Sequence, residues 1–225
     1  MASHSFDVLA SLPLVAPATL AEMADAWPPS SVPVRPRLSA SVVLCRDGAS
    51  GLETYLLHRH ARMAFAASMV VFPGGGVDAA DASADDPFLT CALRETEEET
   101  GVALDATDLI HWARWITPEV HPLRYDTVFY LAGLPPSQSA GDLSSETESA
   151  AWTLPSEALT AYESGRIAMM PPTHAILIEL AGLNSVTQLR ELGRDRVVET
   201  VLPEVVRDGD GWAYRYPGRR GTSGG

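Results

Sequence analysis

Cysteine is nearly absent from this chain: Cys45 and Cys91 are the two among 225 residues. That excludes a disulfide-built scaffold and leaves either one bridge or two thiols. Both lie inside apolar runs, which favours two core thiols in a reducing cytosol. Basic residues are also scarce, with 16 Lys and Arg against 29 Asp and Glu, a formal net charge of -13. A surface of that sign repels a phosphate backbone and excludes nucleic acid as a general partner. No apolar run approaches the roughly 20 residues that span a bilayer. The N-terminus carries Asp7 and no basic segment before its Leu/Ala/Val-rich stretch, so it lacks the layout of a signal peptide. A cytoplasmic protein with no membrane partner is expected. Hydrophobic residues reach 46% and charged ones only 20%, ample apolar material for a core.

Residues 1–37 are rich in Ala, Pro and Ser and read as an arm with a short helix around Pro17–Ala26. Strands are expected at Ser41–Cys45, Glu53–Arg59 and Met69–Phe72, the first two joined by a hairpin loop at Asp47–Gly51. A polar loop, Asp78–Asp86, leads into a helix that opens at Asp86-Pro87, an N-cap followed by proline, and stops at Gly101. Strands follow at Leu109–Ile116 and Tyr125–Ala132, then a Pro/Gly/Ser/Asp loop at Leu134–Glu146. Ala150–Leu154 closes the sheet. Helices open at Pro155 and at Pro171, and Val186–Leu192 reads as an extension of the second. Asp208-Gly209-Asp210-Gly211 marks the turn of a terminal hairpin within Val197–Tyr216. The expected organisation is therefore an arm (1–37), a domain (38–194), and a C-terminal hairpin with a flexible tail (195–225). The mixed order of elements predicts an α/β (α+β) sandwich rather than a bundle.

The chemistry concentrates in Arg94-Glu95-Thr96-Glu97-Glu98-Glu99-Thr100-Gly101. On a helix Glu95, Glu98 and Glu99 stand at i, i+3 and i+4 and share one face. Like charges at those spacings destabilise a helix by about 0.2–0.5 kcal/mol per pair. They also sit near the helix C-terminus, where the macrodipole disfavours anions. A divalent cation with a preference for oxygen ligands, Mg²⁺ or Mn²⁺, would relieve both conflicts. The ordinary alternative is a solvated acidic face screened by Arg94. What favours the cation is context: the run follows Phe72-Pro73-Gly74-Gly75-Gly76, a strand ending in a glycine loop that lets backbone approach a ligand.

Strand, glycine loop and acidic helix together resemble the Nudix box, G-x5-E-x7-R-E-U-x-E-E-x-G-U, with U a bulky aliphatic residue. Arg94, Glu95, Glu98, Glu99, Gly101 and Val102 match its second half, and Gly75 is the candidate for the opening glycine. Arg94 follows Gly75 by 19 positions where the pattern has 14, so the loop carries five extra residues and the early glutamate has no clear counterpart. Asp86 keeps that glutamate's distance from Arg94 but reads as the N-cap, and Thr96 replaces the aliphatic residue within R-E-U. Arg59-His60-Ala61-Arg62-Met63-Ala64-Phe65 and Val71–Asp81 resemble the branch of the family that includes coenzyme A diphosphatases. Trp152–Leu159 is similar to a strand-to-helix junction late in Nudix domains. The resemblance covers roughly Ser39–Leu183.

It implies a Nudix-like α/β/α sandwich with a mixed β-sheet, and a metal-dependent hydrolase of diphosphate linkages. Glu98 and Glu99 would bind Mg²⁺ or Mn²⁺, with the Gly74 carbonyl adding a ligand and Glu95 serving as ligand or as base for the attacking water. Arg94 would hold a carboxylate in place. The metals would supply the positive field that a chain of charge -13 needs to accept an anionic substrate. On the substrate side stand Arg59, Arg62 and Gly75, with Arg124 a further candidate, against the surface role usual for an isolated arginine. Glu146 and Glu148 are candidates for an additional acid, weighed against a solvated loop. His58 and His60 share a strand face without a third ligand at zinc spacing, and Trp112 and Trp115 either stack on a base or pack. The expected partner is a small nucleotide or CoA-type molecule; a homodimer is left open. The alternative is a catalytically silent Nudix-fold binding or sensor module, which would be expected to lose an acidic ligand.

Overall fold

In the computed structural model the described residues are 6–28, 30–60, 66–141 and 147–218. Helix α1 (Ala18–Asp25) precedes strands β1 (Arg37–Gly48), β2 (Gly51–Arg59), β3 (Met69–Val71) and β4 (Gly74–Gly76). Helix α2 (Pro87–Thr100) is followed by β5 (Ile110–Ile116), β6 (Tyr125–Gly133) and β7 (Thr147–Thr153). Then come α3 (Pro155–Glu163), β8 (Ala168–Met169), α4 (Pro171–Leu180), α5 (Val186–Gly193), β9 (Thr200–Val201), β10 (Glu204–Asp208) and β11 (Gly211–Arg215).

One mixed sheet runs β8-β3-β2-β1-β6-β5-β9, with β4 paired to β1 and β7 to β2. Strand β1 is its axis. It pairs antiparallel with β2 through a tight hairpin and parallel with β6 from Arg37↔Tyr125 to Cys45↔Gly133. Successive side chains of a strand point to opposite faces, and both faces of β1 are apolar. Val42 and Leu44 pack with Cys91 and Ala92 of α2 on one side. Val43 and Cys45 pack on the other with Ile176, Leu177 and Leu180 of α4 and Leu189 of α5. The result is the α/β/α sandwich expected of these elements. Cys45 and Cys91 are free, buried, and on opposite faces, so the two-thiol reading holds. Burial pushes both thiols up to about 12. No helix among the described residues is long and apolar enough to cross a membrane.

Three features differ from the sequence reading. Helix α5 is separate from α4: Ser185 caps it, its hydroxyl accepting from Gln188 N at 3.2 Å. Strand β7 begins at Thr147, three residues early, because it pairs with β2 from Thr54 to Arg59. The arm is also more than an appendage, since Val8, Leu9 and Leu12 are buried in the same cluster as Trp112, Leu177 and Tyr216. Val15 bridges to Ala213 of the C-terminal hairpin. A second fastening lies beyond α5. Arg196 is 1% exposed; it donates to both carboxylate oxygens of Glu179 and to the Trp112 carbonyl at 2.6 Å, with its guanidinium over the Trp112 ring. The Trp112 indole N–H donates to Glu179 at 2.7 Å. That settles Trp112 as a packing residue.

Candidate active site

Helix α2 positions the acids, and its ends are fixed locally. The Asp86 carboxylate accepts from Leu89 N at 3.1 Å, Pro87 opens the first turn, and Gly101 closes the last at φ 72°, its N–H reaching Glu97 O. Asp86 is thus the cap. Thr96, in the place of the aliphatic residue, is fully buried, and its hydroxyl donates to the Ala92 carbonyl one turn back at 2.7 Å.

The glycine segment runs alongside. Strand β4 pairs with Ser39–Ser41 of β1. Gly74 sits at φ 155°, and a Cβ there would lie 2.3 Å from the Ala40 carbonyl oxygen, so no other residue fits. Its N–H donates to Glu99 Oε2 at 2.8 Å, tying the glycine segment to the acidic helix. At Gly75 a Cβ would lie 2.3 Å from Glu95 Oε1, so the missing side chain is the space into which that carboxylate reaches.

Arg94 sits among the acids. Its Nη1 donates to Glu95 Oε1 at 2.9 Å and to Glu98 Oε2 at 3.0 Å, and its Nη2 to the Gly76 carbonyl at 3.2 Å. The strongest pairing, though, is with Asp81, bidentate through Nε at 3.2 Å and Nη2 at 2.6 Å. Asp81 is 1% exposed and held in a short turn in which its N–H and the Asp78 N–H each donate to the other's carboxylate. The hydrogen bond from Arg94 holds the Asp81 carboxyl below its ordinary value. Burial pushes the Glu95 carboxyl up, against the pull of the Arg94 charge. Asp81 is the residue that sequence reasoning missed. The spacing backward from Arg94 points to Asp86, whereas counting six positions forward from Gly75, as G-x5-E does, lands on Asp81. The five extra residues therefore fall after the early acid, and Asp replaces Glu there.

The glutamates of α2 and the glycine segment border a cavity of about 630 Å³ on the sheet face away from the body of α2. Glu95, Glu98, Glu99 and Gly74–Gly76 line it, as does Arg59 of β2. Ser39, Ser41, Thr127 and Phe129 form its floor. Arg62 and Glu146 lie outside the described residues. Glu148 is exposed on β7 and does not line the cavity. Arg124 fits neither of its two readings, phosphate contact or surface arginine: it is buried and donates to the backbone carbonyls of Thr117 and Val34, pinning the arm to β6. Trp115 packs in the core and also borders the cavity.

Among the described residues, no three acid, histidine or cysteine side chains stand close enough together to hold an ion as they are placed. Arg94 engages Glu95 and Glu98, while Glu99 turns to Gly74 N. The donor set nevertheless suits a hard cation: carboxylate oxygens at one cavity edge, beside a glycine that leaves Glu95 room. Glu98, paired with Arg94, keeps its side chain 58% exposed.

The NUDIX domain family model matches residues 35–172, more than half of the chain. The chain is 30% identical over 131 residues to the chicken (Gallus gallus) acyl-coenzyme A diphosphatase NUDT19, covering 54% of this chain and 34% of that one. It is 31% identical over 120 residues to the human (Homo sapiens) protein of the same name, covering 51% and 32%. The chain therefore spans about a third of the length of these two relatives. Among solved structures, a NUDIX hydrolase from Alicyclobacillus acidocaldarius superposes with a TM-score of 0.64 at 25% identity, covering 70% of this chain and 96% of that one.

Proposed function

Because the chain belongs to the Nudix family, we propose that it hydrolyses a diphosphate linkage in a nucleoside-diphosphate derivative, with CoA or acyl-CoA as the leading substrate class. The observation that carries this reading is that Glu95, Glu98 and Glu99 share one cavity edge with the glycines Gly74–Gly76. The names of the chicken and human relatives supply the substrate class.

On this reading Glu98 and Glu99 hold Mg²⁺ or Mn²⁺, Glu95 joins them or accepts the proton of the attacking water, and the Gly74 carbonyl is available as a further oxygen. The bound cation supplies Lewis acidity and neutralises the diphosphate charge. Burial favours Glu95 in the role of base, because a raised carboxyl is a better proton acceptor at neutral pH. Asp81 anchors Arg94, and Arg94 in turn sets the positions of Glu95 and Glu98. Arg59, Arg62 and Gly75 are assigned to binding the substrate.

The test is a hydrolysis panel with Mg²⁺ or Mn²⁺ over CoA, acyl-CoA, ADP-ribose, NADH, dinucleoside polyphosphates and nucleoside triphosphates, products being identified by mass. Metal-dependent turnover of a CoA-type compound is expected. Glu98→Gln should lower it a hundredfold or more, since a lost metal ligand removes several kcal/mol of transition-state stabilisation. Unchanged activity in that variant overturns the assignment. The Arg94 clamp on two of the acids also favours a second reading, a binding module without turnover. Saturable binding of a panel compound with no product formed by any of them would establish it.

A further inference from the structure

Two strands change character at the same level of the sheet. Along one face of β1, Cys45 and Val43 are apolar and lie in the core, whereas Ser41 and Ser39 line the cavity. Along the matching face of β6, Leu131 and Phe129 give way to Thr127. Ser39 pairs with Gly76 of β4 on one side and with Thr127 on the other. Gly76 has no side chain, so Ser39 and Thr127 are the first side chains on the floor beyond the glycine segment. Neighbouring strands stand about 4.8 Å apart, which puts both within roughly 10 Å of that segment.

The two hydroxyls bond to each other, Oγ of Ser39 to Oγ1 of Thr127 at 2.7 Å. Each hydroxyl carries one proton. The pair uses one of them internally and keeps one to donate, and among the described residues neither oxygen has another partner. A cross-strand Ser–Thr bond ordinarily serves the sheet alone. This one lies on a cavity floor rather than under a helix, in the same cavity that has Glu95, Glu98 and Glu99 at its edge. Ser39 is buried and Thr127 half-buried, so Thr127 is the member placed to donate outward while Ser39 fixes its hydroxyl. Among the described lining residues Arg59 is the one cation. An anion in this cavity therefore has oxygens left for neutral donors, and a hydrogen bond to an anionic oxygen is roughly twice as strong as one between neutral groups.

We infer that Thr127 is a substrate-binding residue whose hydroxyl donates to a non-bridging phosphate oxygen of the diphosphate, and that Ser39 is the positioning residue that orients it. That a diphosphate occupies the cavity rests on the hydrolase reading above. The spare donor on the cavity floor does not.

The test titrates α,β-methylene-ADP, whose bridging carbon resists hydrolysis, into the full chain by calorimetry in millimolar Mg²⁺. Thr127→Val keeps the shape and removes the hydroxyl; it should weaken binding about tenfold, the lower end for a hydrogen bond to a charged group. Thr127→Ser should stay near the wild-type value. Ser39→Ala should cost about threefold, since it frees the donor without removing it. The double variant should bind no more weakly than Thr127→Val, because Ser39 acts only through Thr127. If a compound of the panel is turned over, the tenfold loss should appear in KM. Thermal melts confirm folding, and Ser39→Ala decides alone if Thr127→Val does not fold. A bond that serves only the sheet would lower the melting temperature without moving Kd or KM. No binding in the wild-type protein, or a Kd unchanged in the folded variants, overturns the proposal. So does an equal loss for adenosine, which has no phosphate and would put the donor against the ribose. Weakened binding in the variants with no turnover of any compound keeps the pair and discards the hydrolase reading. Metal-dependent turnover with Kd unchanged in both variants does the reverse.

Discussion

Arg196 faces one carboxylate, and Arg94 faces four. At Arg196 both oxygens of Glu179 accept from Nη2, the indole of Trp112 donates to the same group, and the Arg196 and Glu179 side chains are 1% and 12% exposed. Its charges cancel. Arg94 holds Asp81 with both arms, reaches Glu95 and Glu98 with what remains, and leaves Glu99 to a backbone N–H. Counting Asp78, 3.8 Å from the Arg94 Nε, four acids pair with one base, and Glu99 stands beside Glu95 and Glu98 at the cavity edge. A balanced pair in the interior fastens the fold. A surplus of one sign at a cavity edge is held at a cost, and is suited to receiving an ion of the other sign.

The largest effect should come from breaking the balanced site. Arg196→Met leaves Glu179 buried without its counter-charge, and disrupted pairs of this kind lose about 3–5 kcal/mol. Burial already pushes the Glu179 carboxyl up, and losing Arg196 removes the charge that opposes this. A carboxyl raised in the folded state favours folding at low pH and loses that advantage as pH rises past its unfolded value. Urea unfolding should therefore show the deficit of Arg196→Met shrinking toward pH 4.5 and full at pH 8. A deficit independent of pH would mean that packing against Trp112, not charge, fastens this region.

Arg94→Met should cost less, about 2 kcal/mol, because two of its partners, Glu95 and Glu98, are partly solvated although Asp81 is buried. It should also respond to metal as Arg196→Met does not. Removing Arg94 leaves Glu95 and Glu98 without their cation, so millimolar Mg²⁺ should raise the melting temperature of Arg94→Met more than that of the wild-type protein. A ligand at a hundred times its Kd adds about 2.7 kcal/mol. An Mg²⁺ response equal in Arg94→Met and Arg196→Met would erase the distinction between the two sites.

How much of this contrast was legible beforehand depended on how local each signal is. Helix α2 could be read from both ends because Asp86-Pro87 and Gly101 are short-range signals, and the Asp208–Gly211 turn likewise marks its own hairpin. The convergence of Glu95, Glu98 and Glu99 on one cavity edge follows from helical spacing alone. Strands β4 and β9, three and two residues long, are too short to show any periodicity. Arg124 was weighed as a surface arginine and Arg196 gave no signal, since Val34, Trp112 and Glu179 are brought to them only by the tertiary fold. Val8 and Leu9 sit in an Ala/Pro-rich stretch whose burial depends on helices that come more than 150 residues later. Asp81 was hidden by the insertion, which displaced it from the spacing to Arg94 while keeping the spacing to Gly75.

Asp81 gives the smallest effect and the finest test of the comparison. Its carboxyl lies below the ordinary value, mainly through the hydrogen bond from Arg94. A carboxyl lowered in the folded state stabilises it above the unfolded value, near 3.8, and that stability is lost as pH falls through the lower folded value. Asp81→Asn keeps one oxygen for Arg94 but cannot ionise. Its stability at pH 7 should fall by about 1 kcal/mol, on the order of one hydrogen bond. The gap to wild type should close as pH drops below 3.8, the curves meeting on the acid limb of chemical unfolding. Because Arg94 would then be held less firmly against Asp81, it should bind Glu95 and Glu98 more freely, and hydrolysis should need a higher Mg²⁺ concentration for half-maximal rate. An acid limb steeper in Asp81→Asn than in the wild-type protein would show that some other carboxylate, not Asp81, anchors Arg94.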